Sequence, residues 1–84
     1  MFPHKSILIT GCSTGIGYEA AKTLKQRGWR VLATARRGED RERLERDIGV
    51  ETLPLELADQ SSVAHCAEAA LGKTDGRLGA LYNN

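Results

Sequence analysis

Four short apolar runs alternate along the chain with three longer stretches whose apolar residues recur at helical spacing. The first run, Ile7-Leu8-Ile9, has no polar interruption, as suits a strand buried on both faces of a parallel sheet. Ile16, Ala20 and Leu24 then recur every four residues, with Glu19, Lys22, Lys25 and Gln26 on the other side. They predict a helix that opens at Ile16 and ends with Gly28 as its C′ residue. Residues 31–35, Val-Leu-Ala-Thr-Ala, read as a second strand. Residues 39–49 are charge-dense around a narrow Leu44–Ile48 stripe, and Glu42 with Arg46 and Arg43 with Asp47 are spaced for helical ion pairs. A third strand is expected over 51–57; Pro54 cannot donate to a ladder, which puts that strand on an edge. Asp59 or Ser61 caps a third helix over 62–73, with Val63, Ala67, Ala70 and Leu71 as its expected apolar face. After a polar loop over 74–77, residues 78–82 begin a fourth strand closed by Asn83 and Asn84. The alternation of strands and helices predicts an α/β protein.

Chemistry concentrates where the first strand meets the first helix. Gly11, Gly15 and Gly17 punctuate Thr10-Gly-Cys-Ser-Thr-Gly-Ile-Gly17. A strand that breaks into such a turn and runs straight into a helix aims backbone N–H groups at one point, and the helix dipole adds positive potential there. Gly11 permits the tight turn, Gly15 lets the backbone approach a pyrophosphate, and Gly17 lets the helix pack closely on its strand. A P-loop is excluded: counted from Gly11, its second glycine and lysine would fall on Ile16 and Gly17. The wording T-G-x-x-x-G-I-G resembles the cofactor turn of the short-chain dehydrogenase/reductase family. That resemblance covers essentially all 84 residues as the N-terminal β-α-β-α-β-α-β half of such an enzyme. It implies a Rossmann-like, doubly wound parallel sheet of strand order 3-2-1-4. Gly11, Ser13, Thr14, Gly15, Ile16 and Gly17 are then the candidate diphosphate-binding residues.

A second site follows the second strand. In a dinucleotide fold this strand end faces the adenosine ribose, and an acid there selects NAD. Ala35 occupies the position without a carboxylate, and Arg36 and Arg37 come next. A guanidinium suits a 2′-phosphate, so NADP(H) is expected over NAD(H), with Arg36 the stronger candidate and Arg37 the second. The resemblance adds Glu56 and Leu57 as adenine neighbours, by side chain and backbone amide respectively. Glu56 is one carbon longer than the aspartate common in the family. The resemblance also makes Asn84 a neighbour of the cofactor ribose and Asn83 a partner that ties the central strands together.

Length and charge limit the rest. At 84 residues one small core is the most the chain can bury, and an enzyme of this kind normally needs several times that length. A single domain spanning residues 1–84, lacking its C-terminal catalytic half, is therefore expected. Twelve basic and eleven acidic residues, net +1, predict neither nucleic acid nor an anionic membrane as partner. The N-terminus has no secretory apolar segment and no run approaches membrane-spanning length, so the expectation is a cytoplasmic protein. Cys12 and Cys66 lack zinc-site spacing and read as reduced thiols, although Cys12 at a helix start leaves a redox role open. His4 reads as solvated and His65 as a helix-face residue; no metal is expected.

No residue here is assigned to catalysis. The family's proton-relaying tyrosine, its lysine four residues on and its serine are implied to lie beyond Asn84. Tyr18 and Lys22 repeat the tyrosine–lysine spacing by chance, on a helix that packs behind the pyrophosphate. The reading is the cofactor-binding part of an NADP(H)-preferring oxidoreductase acting on a small alcohol or carbonyl, with a homo-oligomeric parent implied by the family. The Thr-Gly-Cys-Ser wording leans toward the hydroxysteroid- and retinol-type members. One alternative is a non-catalytic NAD(P)-sensing module. Another is a class I methyltransferase, opposed by Ile9 and Ala35 where that family has acids.

Overall fold

The computed structural model describes residues 5–82. Strands β1 (Ser6–Ile9), β2 (Arg30–Ala35), β3 (Glu51–Pro54) and β4 (Ala80–Tyr82) alternate with helices α1 (Gly15–Gln26), α2 (Gly38–Ile48) and α3 (Gln60–Lys73). The four strands form one parallel sheet in the order β3-β2-β1-β4, as expected of a Rossmann-like α/β fold. Ile7 pairs with Val31 on one side and with Ala80 on the other, so β1 lies at the centre. β3 is outermost, which accommodates Pro54.

Side chains alternate between two cores, one on each face of the sheet. Ile7, Ile9, Val31, Ala33 and Ala35 meet Ala21 of α1 and Leu44 of α2. Leu8, Leu32, Leu53 and Leu55 meet Cys66 and Ala70 of α3 on the opposite face. Two helices on one face and one on the other make the sheet doubly wound. Leu44 is the only fully buried side chain of α2. Its burial contributes about 1.5–3 kcal/mol, whereas each exposed ion pair on that helix is worth about 0–1 kcal/mol. Leu44, with Ile48 half-buried beside it, holds α2 down.

The periodic stripes match the buried faces of two helices only in part: Ala20 and Leu24 of α1 pack half-buried against the core and Ala70 of α3 is buried, as expected. In α1 it is Gly17 and Ala21 that are buried, while Ile16 is 69% exposed and Leu24 half-buried. In α3 Cys66 and Ala70 are buried, and Val63, Ala67 and Leu71 face outward. Small residues win these positions because they let a helix press close to the strands. The expected pairs along α2 also differ. Arg46 bonds its neighbour Asp47 at 3.0 Å, and Arg43 turns back to Asp40 at 3.7 Å, drawn toward the glycine turn.

Helix termini follow the sequence more closely. Asp59 caps α3 by accepting from the amides of Ser61 at 2.9 Å and Ser62 at 3.4 Å; Ser61 is therefore capped, not the cap. Gly28 (φ 89°) and Gly49 (φ 69°) take the left-handed conformation just past α1 and α2. At the far end of the sheet, Arg30 grips Glu51 with two bonds of 2.6 and 3.0 Å and donates to the Lys73 carbonyl at 2.7 Å. That grip holds the Glu51 carboxyl below the usual glutamate range.

Candidate functional site

The C-terminal ends of β1, β2 and β3 open onto one side of the sheet, and the segments that follow them converge there. Gly11 (φ 65°) and Gly15 (φ 66°) both adopt left-handed backbone, which L side chains rarely take. The Gly11 amide donates to the Thr34 hydroxyl at 3.2 Å, and the Cys12 amide to the Thr34 carbonyl at 2.9 Å. These bonds stitch the turn to the end of β2. Those two amides are thus committed within the protein, and the group left to face an anion narrows to residues 13–16. The amides of Ser13, Thr14, Gly15 and Ile16 make no hydrogen bond among the described residues. No side chain caps α1, whereas Asp59 caps α3. The start of α1 therefore presents orphan donors and the positive end of its dipole.

Two clefts adjoin this turn and share Ser13 and Arg36. One, of about 200 Å³, runs between the glycine turn and the β3 end, walled by Gly11, Ala35, Leu55, Glu56 and Leu57. The other, of about 450 Å³, lies between the turn and the start of α2, against Thr14, Arg37 and Asp40. Arg36 stands at their junction, 62% exposed in its side chain, with Nη1 3.4 Å from Glu56 Oε2. Arg37 pairs with Glu39 at 3.6 Å on the outer wall. The other Glu56 oxygen accepts from the Ala58 amide at 3.1 Å, and the Glu56 amide donates to Ser62 Oγ at 2.8 Å. Leu57 is 63% exposed. Gly11, Ser13, Arg36, Glu56 and Leu57 are thus gathered around one cleft, with Thr14 and Arg37 in the next. Gly17 lies beneath, packed into the sheet. Asn84, Asn83 and His4 lie outside the described residues.

Two residues that sequence reasoning passed over hold this arrangement. Arg43 reaches back from α2 and donates through Nη2 to the Ser13 carbonyl. Arg41 donates through Nη1 to the carbonyls of Ala35 and Arg36, both at 3.0 Å. α2, read from sequence as only a solvated charge face, thus clamps both the turn and the arginine segment. The Arg43 bond spans thirty residues and leaves no local signature.

Cys12 overturns the redox option. Its thiol is fully buried, donates to the Ile9 carbonyl at 3.2 Å, and is pushed up to about 11 by burial, against a smaller opposing effect of the Thr34 backbone bond. Such a thiol stays protonated and unreactive. Cys66 is buried on the other face of the sheet, its thiol likewise raised by burial. Tyr18 packs against the α1-side core. A larger groove of about 610 Å³ runs between α1 and β4, past Ile16, Leu24 and Tyr82. It is an apolar trough at the sheet edge, on the side of α1 away from Arg36.

The fold is a Rossmann-like α/β sheet, and the chain belongs to the short chain dehydrogenase family, whose model matches residues 5–84. It is 41% identical over 81 residues to the uncharacterized oxidoreductase YbbO of Escherichia coli K12, covering 96% of this chain and 30% of that protein. It is 41% identical over 85 residues to an NADPH-dependent 1-acyldihydroxyacetone phosphate reductase of Schizosaccharomyces pombe, covering 100% of this chain and 28% of that protein. Among solved structures, a metagenomic short-chain oxidoreductase in complex with NADP superposes with a TM-score of 0.81 at 32% identity, over 92% of this chain and 37% of that one. The chain thus spans about 30% of the length of these curated relatives. Among the described residues no helix is long and apolar enough to cross a membrane.

Proposed function

We propose that residues 1–84 are the NADP(H)-binding part of an oxidoreductase that interconverts a small alcohol and its carbonyl. The observation that carries this reading is Arg36, with Ala35 before it, opening into the cleft beside the uncapped start of α1. An acid at residue 35 would repel a 2′-phosphate; alanine does not, and the adjacent guanidinium attracts it. The amides of residues 13–16 receive the diphosphate, and Gly15 keeps that surface clear, since a Cβ there would meet nothing within 4 Å yet would be strained at φ 66°. Glu56 and the Leu57 backbone flank the adenine, Arg37 reinforces Arg36, and the family resemblance makes Asn84 a neighbour of the cofactor ribose. When bound, the nicotinamide supplies or accepts the hydride. This chain's own residues bind and orient; proton transfer is assigned to none of them. The NADPH-dependent and NADP-bound relatives support the cofactor choice. Two unpaired thiols buried on opposite faces suit a cytoplasmic protein, and the family resemblance supports a homo-oligomer.

The test is Arg36→Asp in the complete protein. Expected is a fall of about tenfold or more in the NADPH:NADH ratio of kcat/KM, equivalent to about 1.4 kcal/mol of discrimination. An unchanged ratio counts against the assignment.

A further inference from the structure

Arg36 is already engaged, and its partner comes from the loop that follows β3. The Glu56 carboxylate approaches Arg36 Nη1 at 3.4 Å while its second oxygen is held by the Ala58 amide at 3.1 Å. The Glu56 backbone is fixed in turn, through the bond from its amide to Ser62 Oγ at 2.8 Å. The carboxylate is therefore anchored from its own loop and lies across the mouth of the cleft that Arg36 serves. Neither Arg41 nor Arg43 relieves this competition. Arg41 is bonded to the carbonyls of Ala35 and Arg36, and Arg43 to the Ser13 carbonyl and Asp40.

We propose that Glu56 is an internal competitor for the 2′-phosphate, and that its contact with Arg36 limits how strongly NADP(H) is preferred over NAD(H). This rests on the cofactor reading above and deepens it. A dianionic phosphate arriving at Arg36 must displace or share with a carboxylate of the same sign. A 2′-hydroxyl carries no charge and meets no such opposition. The penalty therefore falls on one cofactor and not on the other. Because both side chains are partly exposed, solvent screens the effect and keeps it moderate.

The experiment titrates NADPH and NADH, by their fluorescence, into the complete protein and into Glu56→Gln, Glu56→Asp, Arg36→Gln and the Arg36→Gln/Glu56→Gln double variant. Glutamine keeps the size of the side chain and an oxygen for the Ala58 amide while removing the charge. Expected for Glu56→Gln is a shift of about three- to tenfold in the NADPH:NADH ratio of Kd toward NADPH, any change at the adenine contact falling on both cofactors alike. Glu56→Asp retracts the charge from Arg36, and an intermediate gain is expected. In the Arg36→Gln background the gain should disappear. A NADPH:NADH ratio of Kd unchanged in Glu56→Gln overturns this proposal while leaving the Arg36 assignment intact if Arg36→Gln still loses discrimination. Equal binding of NADPH and NADH by the wild type, untouched by Arg36→Gln, overturns both.

Discussion

The residues of the glycine turn divide their backbone donors between two tasks, one seen and one proposed. Gly11 and Cys12 commit their amides to Thr34, which fixes the loop against β2, and the next four residues are proposed to offer theirs to a ligand. Cys12 belongs to the first task. Its thiol points into the core and bonds the Ile9 carbonyl, so a position for which a redox role stood open is structural. Raised to about 11, the thiol should remain protonated at neutral pH. Brief alkylation followed by peptide mapping should leave Cys12 unlabelled in the native protein from about pH 7 to 9, and label it only on unfolding. Rapid labelling near pH 7 would show an exposed or activated thiol instead.

At the level of elements, the strands and the glycine turn were legible because each rests on a local pattern, unbroken apolar runs and three glycines between strand and helix, while the strand order came from the family resemblance, with which Pro54 on an edge agreed. The buried faces of the helices were legible only in part. Residues 63–71 of α3 are apolar on nearly every side, so spacing alone does not fix which side meets the sheet. Close packing chose Cys66 and Ala70 over the bulkier Val63 and Leu71. The same selection turned Gly17 and Ala21 inward on α1 and left Ile16 exposed beside the candidate diphosphate site. Of the site residues, the turn and Arg36 were readable from position in the chain. The Arg43 clamp and the Arg36–Glu56 contact were not, because they join segments distant in sequence, and the Arg41 clamp, though only five and six residues long, has no repeating pattern that marks it. The α3 cap was narrowed to two residues and resolved as Asp59. Asp59→Ala should cost about 1 kcal/mol of stability, measured by denaturant unfolding of the complete protein. No loss would mean that the cap bonds are replaced by solvent.

On the scale of the whole molecule, the sheet is covered unevenly. β4 is an edge, and Leu81 is 62% exposed, as are parts of Val63 and Leu71 at 41% and 48%. The groove between α1 and β4 adds a further apolar surface. An open edge strand and several bare apolar side chains favour association. Residues 1–84 expressed alone should therefore self-associate or melt without cooperativity, as read by light scattering and thermal unfolding. A monomer with a sharp transition would show that the small core suffices. The central claim is more direct: amides at the head of α1 hold a diphosphate, and the guanidinium that follows β2 holds a ribose phosphate. A crystal structure of the complete protein with NADPH tests both at once. Expected is the diphosphate against the backbone of residues 13–16 and the 2′-phosphate within hydrogen-bond distance of Arg36. A cofactor lodged elsewhere, or a 2′-phosphate turned away from Arg36 into solvent, would contradict it.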